Sequence, residues 1–221
     1  MRSGGCFAAR MFRRWPVVII AVLLAGLDGN PAAAQPAAAA AGSTVDKTIK
    51  ATDLRGEWQR AGAGFACKVA PASGKLPPEL IKPEILTRAC LHMGPFVIGD
   101  DAQALTRALG APHRSLPQPN GAVASIYFLE TAEHHPYLVA TVAKQKIIAL
   151  QVTGPAAAKG YDFNHVDLGV STDALIQVFG RPNHLDPSSE KDTDLWTYRP
   201  WPFSFEVKDG RVTSIRIAEP N

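Results

Sequence analysis

Residues 168 to 182 read "LGVSTDALIQVFGRP", and residues 98 to 112 read "IGDDAQALTRALGAP". Aligned without a gap, Gly99, Leu105, Gly110 and Pro112 fall on Gly169, Leu175, Gly180 and Pro182. Each stretch carries a polar N-cap candidate, Asp100 or Asp101 in the first and Ser171 in the second. An apolar stripe at helical spacing comes next: Leu105, Ala108 and Leu109 in one, Leu175, Val178 and Phe179 in the other. Each then ends on a glycine suited to the left-handed C′ position, with a proline two residues on that stops continuation. The pattern predicts the same short helix twice.

Strand signals come after each helix in the same order. They are "ASIYFLE", "PYLVATVA" and "KIIALQV" in the first copy, and "DLWTYRP", "FSFEVK" and "RVTSIRI" in the second. Pro136, Pro200, Pro202 and Asp209-Gly210 supply the turns between them. Helix followed by antiparallel meander is an α+β unit, because helix and sheet each have one face to bury against the other. The expected fold is α+β with two tandem helix-plus-antiparallel-meander units, unit 1 over 95–155 and unit 2 over 165–218. One unit alone leaves apolar sheet surface exposed, which a second copy can cover.

The two meanders differ in periodicity. In the first, Ile126 and Phe128 alternate with Tyr127 and Leu129, and Tyr137 and Val139 with Leu138 and Ala140, so both faces are apolar and burial on both sides is expected. In the second, Trp196, Tyr198, Phe203, Phe205 and Val207 share one alternation, and Thr197, Arg199, Ser204, Glu206 and Lys208 share the other. That predicts one wet face. Trp196, Tyr198, Phe203 and Phe205 are expected in the core, whereas Trp201, between Pro200 and Pro202 in a turn, has little core to enter. Trp201, Arg199, Glu206 and Arg216 are therefore the expected binding residues, since Trp and Arg dominate interface energetics.

Residues 1 to 34 read as a secretory signal peptide. Arg10, Arg13 and Arg14 precede an apolar run from Val17 to Leu27, and Ala32-Ala33-Ala34 offers a small-residue cleavage site. Translation can start at Met1 or Met11, since "MFRRWPVVII" is itself a compact leader opening. The run is too short to span a bilayer, so no stable membrane anchor is expected after cleavage. Residues 35–50 read as a flexible Ala-rich tether, and 51–94 as an irregular, Pro- and Gly-rich extension. Cys67 and Cys90, the pair left once Cys6 departs with the leader, are expected to form a disulfide that staples this extension. Periplasmic or secreted localisation is the consequence.

Four of the 23 basic residues and one of the 20 acidic ones precede residue 35, so the remaining chain is formally neutral at nineteen of each. A neutral chain exerts no general pull on phosphate backbones, and no nucleic acid partner is expected. His134-His135 beside Glu133 point to opposite sides of an extended chain, so no metal site is expected there. His92, His113, His165 and His184 sit beside predicted element ends. There is no G-x-S-x-G elbow, Walker loop or dinucleotide-binding glycine fingerprint. No catalytic residues, no cofactor and no enzymatic activity are expected.

The helix ending in "LGAP" or "FGRP" after "IGD" or "LGV", followed by the "LWTY" strand, resembles the BamE/SmpA-type (SmpA/OmlA-like) domain of the bacterial outer-membrane assembly machinery. Two copies in tandem are similar to the β-lactamase inhibitor protein (BLIP) architecture. The resemblance implies a non-enzymatic envelope module that binds another envelope protein, with outer-membrane assembly as its setting. A secreted inhibitor of a hydrolase is the alternative it implies. A small-ligand carrier or an enzyme using the space between the two sheets is the further alternative. The chain departs from the first family in having no lipidatable cysteine after the leader core, and from the second in placing both cysteines before the first copy.

Overall fold

The computed structural model describes Ile49 and residues 53–70, 76–130 and 135–220. The leader and nearly all of the tether lie outside the described residues. Within them the chain is a mixed α/β protein, mostly strand, with three short helices.

Residues 98 to 153 run through helix α2 (Gln103–Leu109) and strands β5 (Arg114–Pro117), β6 (Val123–Phe128), β7 (Tyr137–Ala143) and β8 (Lys146–Thr153). Residues 168 to 218 run through α3 (Thr172–Phe179), β9 (His184–Pro187), β10 (Asp194–Thr197), β11 (Phe203–Lys208) and β12 (Arg211–Ala218). Each meander has one strand more than its sequence signals. "RSLP" and "HLDP" are four-residue strands, exposed along their length and ended by proline, so they carry no alternation to read.

All eight strands form one antiparallel sheet in the order β5-β6-β7-β8-β12-β11-β10-β9. The closing strands β8 and β12 pair at the centre, with Gln151 opposite Arg216 and Leu150 opposite Ile217. The second segment thus covers an edge of the first and not its face, contrary to the expectation of one sheet lying over another. Pairing the two long closing strands removes both of their free ladders at once, so that among the described residues this sheet ends on the short proline-ended edges β5 and β9.

Both helices dock the same way. Gly99 N–H donates to Ile147 O at 2.8 Å and Gly169 N–H to Val212 O at 2.7 Å, and Ile147 and Val212 donate back to Asp100 and Val170. Ser171 Oγ caps α3 by accepting from Ala174 N–H at 3.3 Å. At α2, Asp101 Oδ1 accepts from Gln103 N–H at 2.8 Å. The terminal glycines depart from the expected left-handed cap: Gly110 has φ 77°, ψ −157° and Gly180 φ 75°, ψ −175°. This extended, positive-φ backbone is open essentially to glycine alone. The residue before each proline must also be extended, so the chain leaves the helix straight into an edge strand instead of curling over the helix end.

The core lies between the helices and one face of the sheet. Tyr127, Leu138, Val152, Ile215 and Phe205 stand opposite one another across five strands, each almost fully buried. An aromatic cluster closes it at the second segment, where Phe163 stacks on Phe179 at 5.8 Å and Phe179 meets Phe203 at 5.0 Å.

The extension over 51–94 is not irregular. It forms a hairpin of β1 (Gly56–Ala61) and β2 (Gly64–Val69), helix α1 (Pro83–Ala89) and a two-residue strand β3 (His92–Met93) paired with β4 (Phe96–Val97). Pro83 opens α1 at the position where a missing N–H costs nothing. Of the prolines that suggested irregularity, Pro83 marks this start and Pro78 opens a short 3-10 turn before it. Cys67 and Cys90 are bonded, Cα atoms 5.8 Å apart, joining β2 to the end of α1. Ile49, expected in the tether, already packs with Leu54, Leu80 and Ala89 in a small second core.

Candidate functional site

Among the described residues, no helix or strand packs on the face of the sheet away from the helices, although the rings of His113 and His135 meet Phe128 and Tyr137 there. Ile126, Val139, Gln151, Arg216, Ser204 and Thr197 lie in register across β6, β7, β8, β12, β11 and β10. A second row alongside runs Phe128, Tyr137, Thr153, Ser214, Glu206 and Leu195. The first half of this surface is apolar and the second half polar. Ile126, Phe128, Tyr137 and Val139 are half-buried, so the first meander does not have the two dry faces its sequence suggested. Double apolarity here reflects an apolar surface left open.

The polar half sinks into a basin of about 810 Å³. Its lining includes all four residues expected from sequence, Arg199, Trp201, Glu206 and Arg216, together with Gln151, Thr197, Ser204 and Ser214. Polar groups at its centre hold one another: Gln151 Nε2 donates to Ser214 Oγ at 2.9 Å, and the Thr153 and Ser214 hydroxyls lie 3.1 Å apart. Glu206 accepts from Ser188 Oγ at 2.5 Å, and Glu219 pairs with Arg88 at 2.9 Å. The Thr197 hydroxyl oxygen is buried without a hydrogen-bond partner among the described residues. Both arginines are exposed, and neither guanidinium is held by a carboxylate among the described residues. Partial burial against the sheet lowers the Arg216 pKa, but a guanidinium stays charged at neutral pH regardless.

Trp201 differs from its sequence reading. Its ring is half-buried, edge-on to Phe65 at 5.0 Å, and its Nε1 donates to Phe65 O at 3.2 Å. Gly64 makes this approach possible, because a Cβ there would lie 2.2 Å from the indole. The turn thus has a core to enter, supplied by the β1–β2 hairpin that sequence alone did not place. Trp201 forms a fixed wall of the basin.

Tyr198, Phe203 and Phe205 are buried in the core, and Trp196 packs against it half-buried. The Tyr198 hydroxyl donates to Gly180 O at 2.9 Å, and burial pushes its pKa well up. Among histidines, His92 Nε2 lies 3.1 Å from Gly56 O and His165 Nε2 lies 3.0 Å from Glu57 Oε1. His113 Nδ1 accepts from Phe128 N–H at 3.3 Å. His135 packs on Tyr137, whereas Glu133 and His134 lie outside the described residues. No histidine or cysteine lines the basin. Its groups are hydrogen-bond donors, acceptors and a flat aromatic wall. Gln151, Thr153 and Ser214 were missed from sequence; the lone polar Gln151 inside "KIIALQV" was the available signal.

No protein-family model matches the chain, and no curated protein matches it. Among solved structures it is similar to a cysteine-rich secretory protein of Staphylococcus aureus, at 14% identity and a TM-score of 0.40 over 57% of this chain and 46% of that one. It is also similar to a DUF4309 family protein of Bacillus subtilis, at 16% identity and a TM-score of 0.40 over 54% and 78%. A beta-lactamase inhibitor-like protein of Streptococcus mutans is similar at 13% identity and a TM-score of 0.23 over 53% and 81%. The chain spans less than half the length of the staphylococcal protein. Among the described residues, no helix is long and apolar enough to cross a membrane. The disulfide is the kind of bond that persists outside the reducing cytosol.

Proposed function

We propose that this chain is an exported, periplasmic or secreted, non-enzymatic protein-binding module. In this reading it is built from two tandem BamE-like units joined edge to edge, and it holds another envelope protein on the open face of its sheet. The observation that carries the reading is the asymmetry of that sheet. One face is packed by helices, whereas the other leaves Ile126, Phe128, Tyr137 and Val139 partly exposed beside a polar basin. A contiguous apolar surface rimmed by polar groups is costly to leave in water and marks an interaction site. The equivalent docking of α2 and α3, at Gly99 and Gly169, supports the tandem origin. The two meanders form one sheet, so the alternative reading of a small-ligand carrier or enzyme would use the polar basin on its open face.

The test places a photo-crosslinking residue at Ser204 on the open face, or at Asp173 on the exposed side of α3, in cells making the full chain. A discrete adduct from Ser204 and none from Asp173 is expected, and Val139→Lys should abolish it while leaving the melting temperature close to wild type. Equal labelling from both positions, or from neither, overturns the reading.

A further inference from the structure

The two arginines of the basin set it apart from the rest of the open face. Arg216 stands on β12, one of the two central strands, and its cross-strand neighbours are the uncharged Gln151 and Ser204. Opposite charges on adjacent strands stabilise one another, and no such partner faces Arg216 from these two positions. Here both basin carboxylates are engaged elsewhere, Glu206 by Ser188 and Glu219 by Arg88. Arg199 at the rim lacks a carboxylate partner too, and its carbonyl is held by Asn183, which fixes the backbone that carries it. The unpartnered Thr197 hydroxyl adds a buried polar atom to the same lining.

We propose that the basin receives an acidic side chain of a protein partner, whose carboxylate is taken by Arg216 and Arg199. This rests on the protein-binding reading above and names the chemistry of its contact. A planar guanidinium matches a carboxylate with two parallel N–H···O bonds, a geometry an ammonium cannot offer. Leu195, Pro200 and Trp201 form the apolar side of the basin, which suits an apolar or aromatic residue next to the acid in the partner chain. The basin opens to solvent on one side, whereas metabolite pockets bury most of their ligand's surface. A side chain presented on a folded partner needs no such enclosure.

The test uses the full chain labelled with nitrogen-15 and follows the Nε–H signals of Arg199 and Arg216. The probes are the blocked tetrapeptide acetyl-Gly-Asp-Phe-Gly-amide, its Asn counterpart, and sodium succinate. A saturable shift with the Asp peptide, absent with the Asn peptide, is expected. R216Q should weaken it by about ten- to a hundred-fold, the worth of a charge-assisted bond pair, while R216K recovers only part of the loss. Equal response to the Asp and Asn peptides, or no saturable response, overturns the proposal. Succinate binding as tightly as the Asp peptide also overturns it, by making the site one for small anions. Failure here is separable from failure of the parent reading: if R216Q still forms the Ser204 adduct in cells, partner binding stands and the role of Arg216 falls.

Discussion

Phe205 and Glu206 are neighbours in one strand, yet they occupy the two surfaces on which this molecule is divided. Phe205 is 1% exposed and meets Phe163, Phe179 and Tyr198, whereas Glu206 lies on the basin side with Ser188. The alternation of a strand is enough to separate stability from recognition, because successive side chains point to opposite faces. Substitutions one residue apart should therefore read out in different assays.

The sharpest way to break that comparison is Phe205→Ala set against Glu206→Ala. Removing a buried aromatic ring from a packed core costs about 3–5 kcal/mol, so a urea unfolding midpoint should fall far for the first. The second should move little, since surface changes usually stay within about 0.5 kcal/mol. Comparable losses would mean that the basin side is structural after all.

Next in size is the staple. Cys67→Ser together with Cys90→Ser opens a loop with a sequence separation of 23, worth roughly 3 kcal/mol in the chain-entropy model. Thermal unfolding should drop accordingly. A near-wild-type midpoint would show that noncovalent contacts, among them the rings of Trp58 and Phe65, hold the β1–β2 hairpin without the bond.

Smaller again is a pair of changes that compares the two segments directly. Gly110→Ala and Gly180→Ala each force a Cβ onto positive-φ, extended backbone, costing about 1–3 kcal/mol. There is room for the new atom in both places: nothing lies within 4 Å at Gly110, and the nearest atom at Gly180 is Arg60 Cζ at 3.4 Å. Backbone strain is thus the shared cause, and calorimetry should return similar losses. A loss at one glycine only would separate the two segments physically despite their matching sequence.

Local signals account for the features that sequence made legible. Helix positions, the three strands of each meander that carry alternation and the disulfide all stem from caps, alternation and cysteine count. The features that escaped depend on partners distant in the chain. The edge strands β5 and β9 are defined only by lying beside β6 and β10. Burial of the first meander could not be read because period 2 reports that both sides are apolar, not whether anything covers them. Trp201 was misplaced for the same reason, its contacts being more than a hundred residues away at Phe65. The four candidate binding residues do share one basin, since alternation and turn position are local properties. The Gln151–Ser214 network between them needs the β8–β12 register, and that is set only when the two meanders meet.

The smallest effect expected is a pH dependence from the side of the molecule that carries the hairpin. His92 is half-buried, and desolvation lowers its pKa below the ordinary value near 6.5, with Arg55 adding to the effect. The bond to Gly56 O and the carboxylates of Asp162 and Glu57 oppose it without reversing it. The unfolded chain then binds a proton more readily than the folded one, so stability is complete above pH 6.5 and declines as pH falls through that value. The decline ends once the folded histidine is itself protonated. Asp100, whose pKa burial raises, acts with the opposite sign and at lower pH, in the carboxylate range. Urea midpoints taken between pH 7.5 and about 5.5 should therefore slope gently downward on acidification. His92→Gln, which keeps a donor toward Gly56 O, should flatten the slope. A variant that loses stability as steeply as wild type would place the acid sensitivity in another group, and the hairpin would then have no part in how the packed side of the molecule responds to pH.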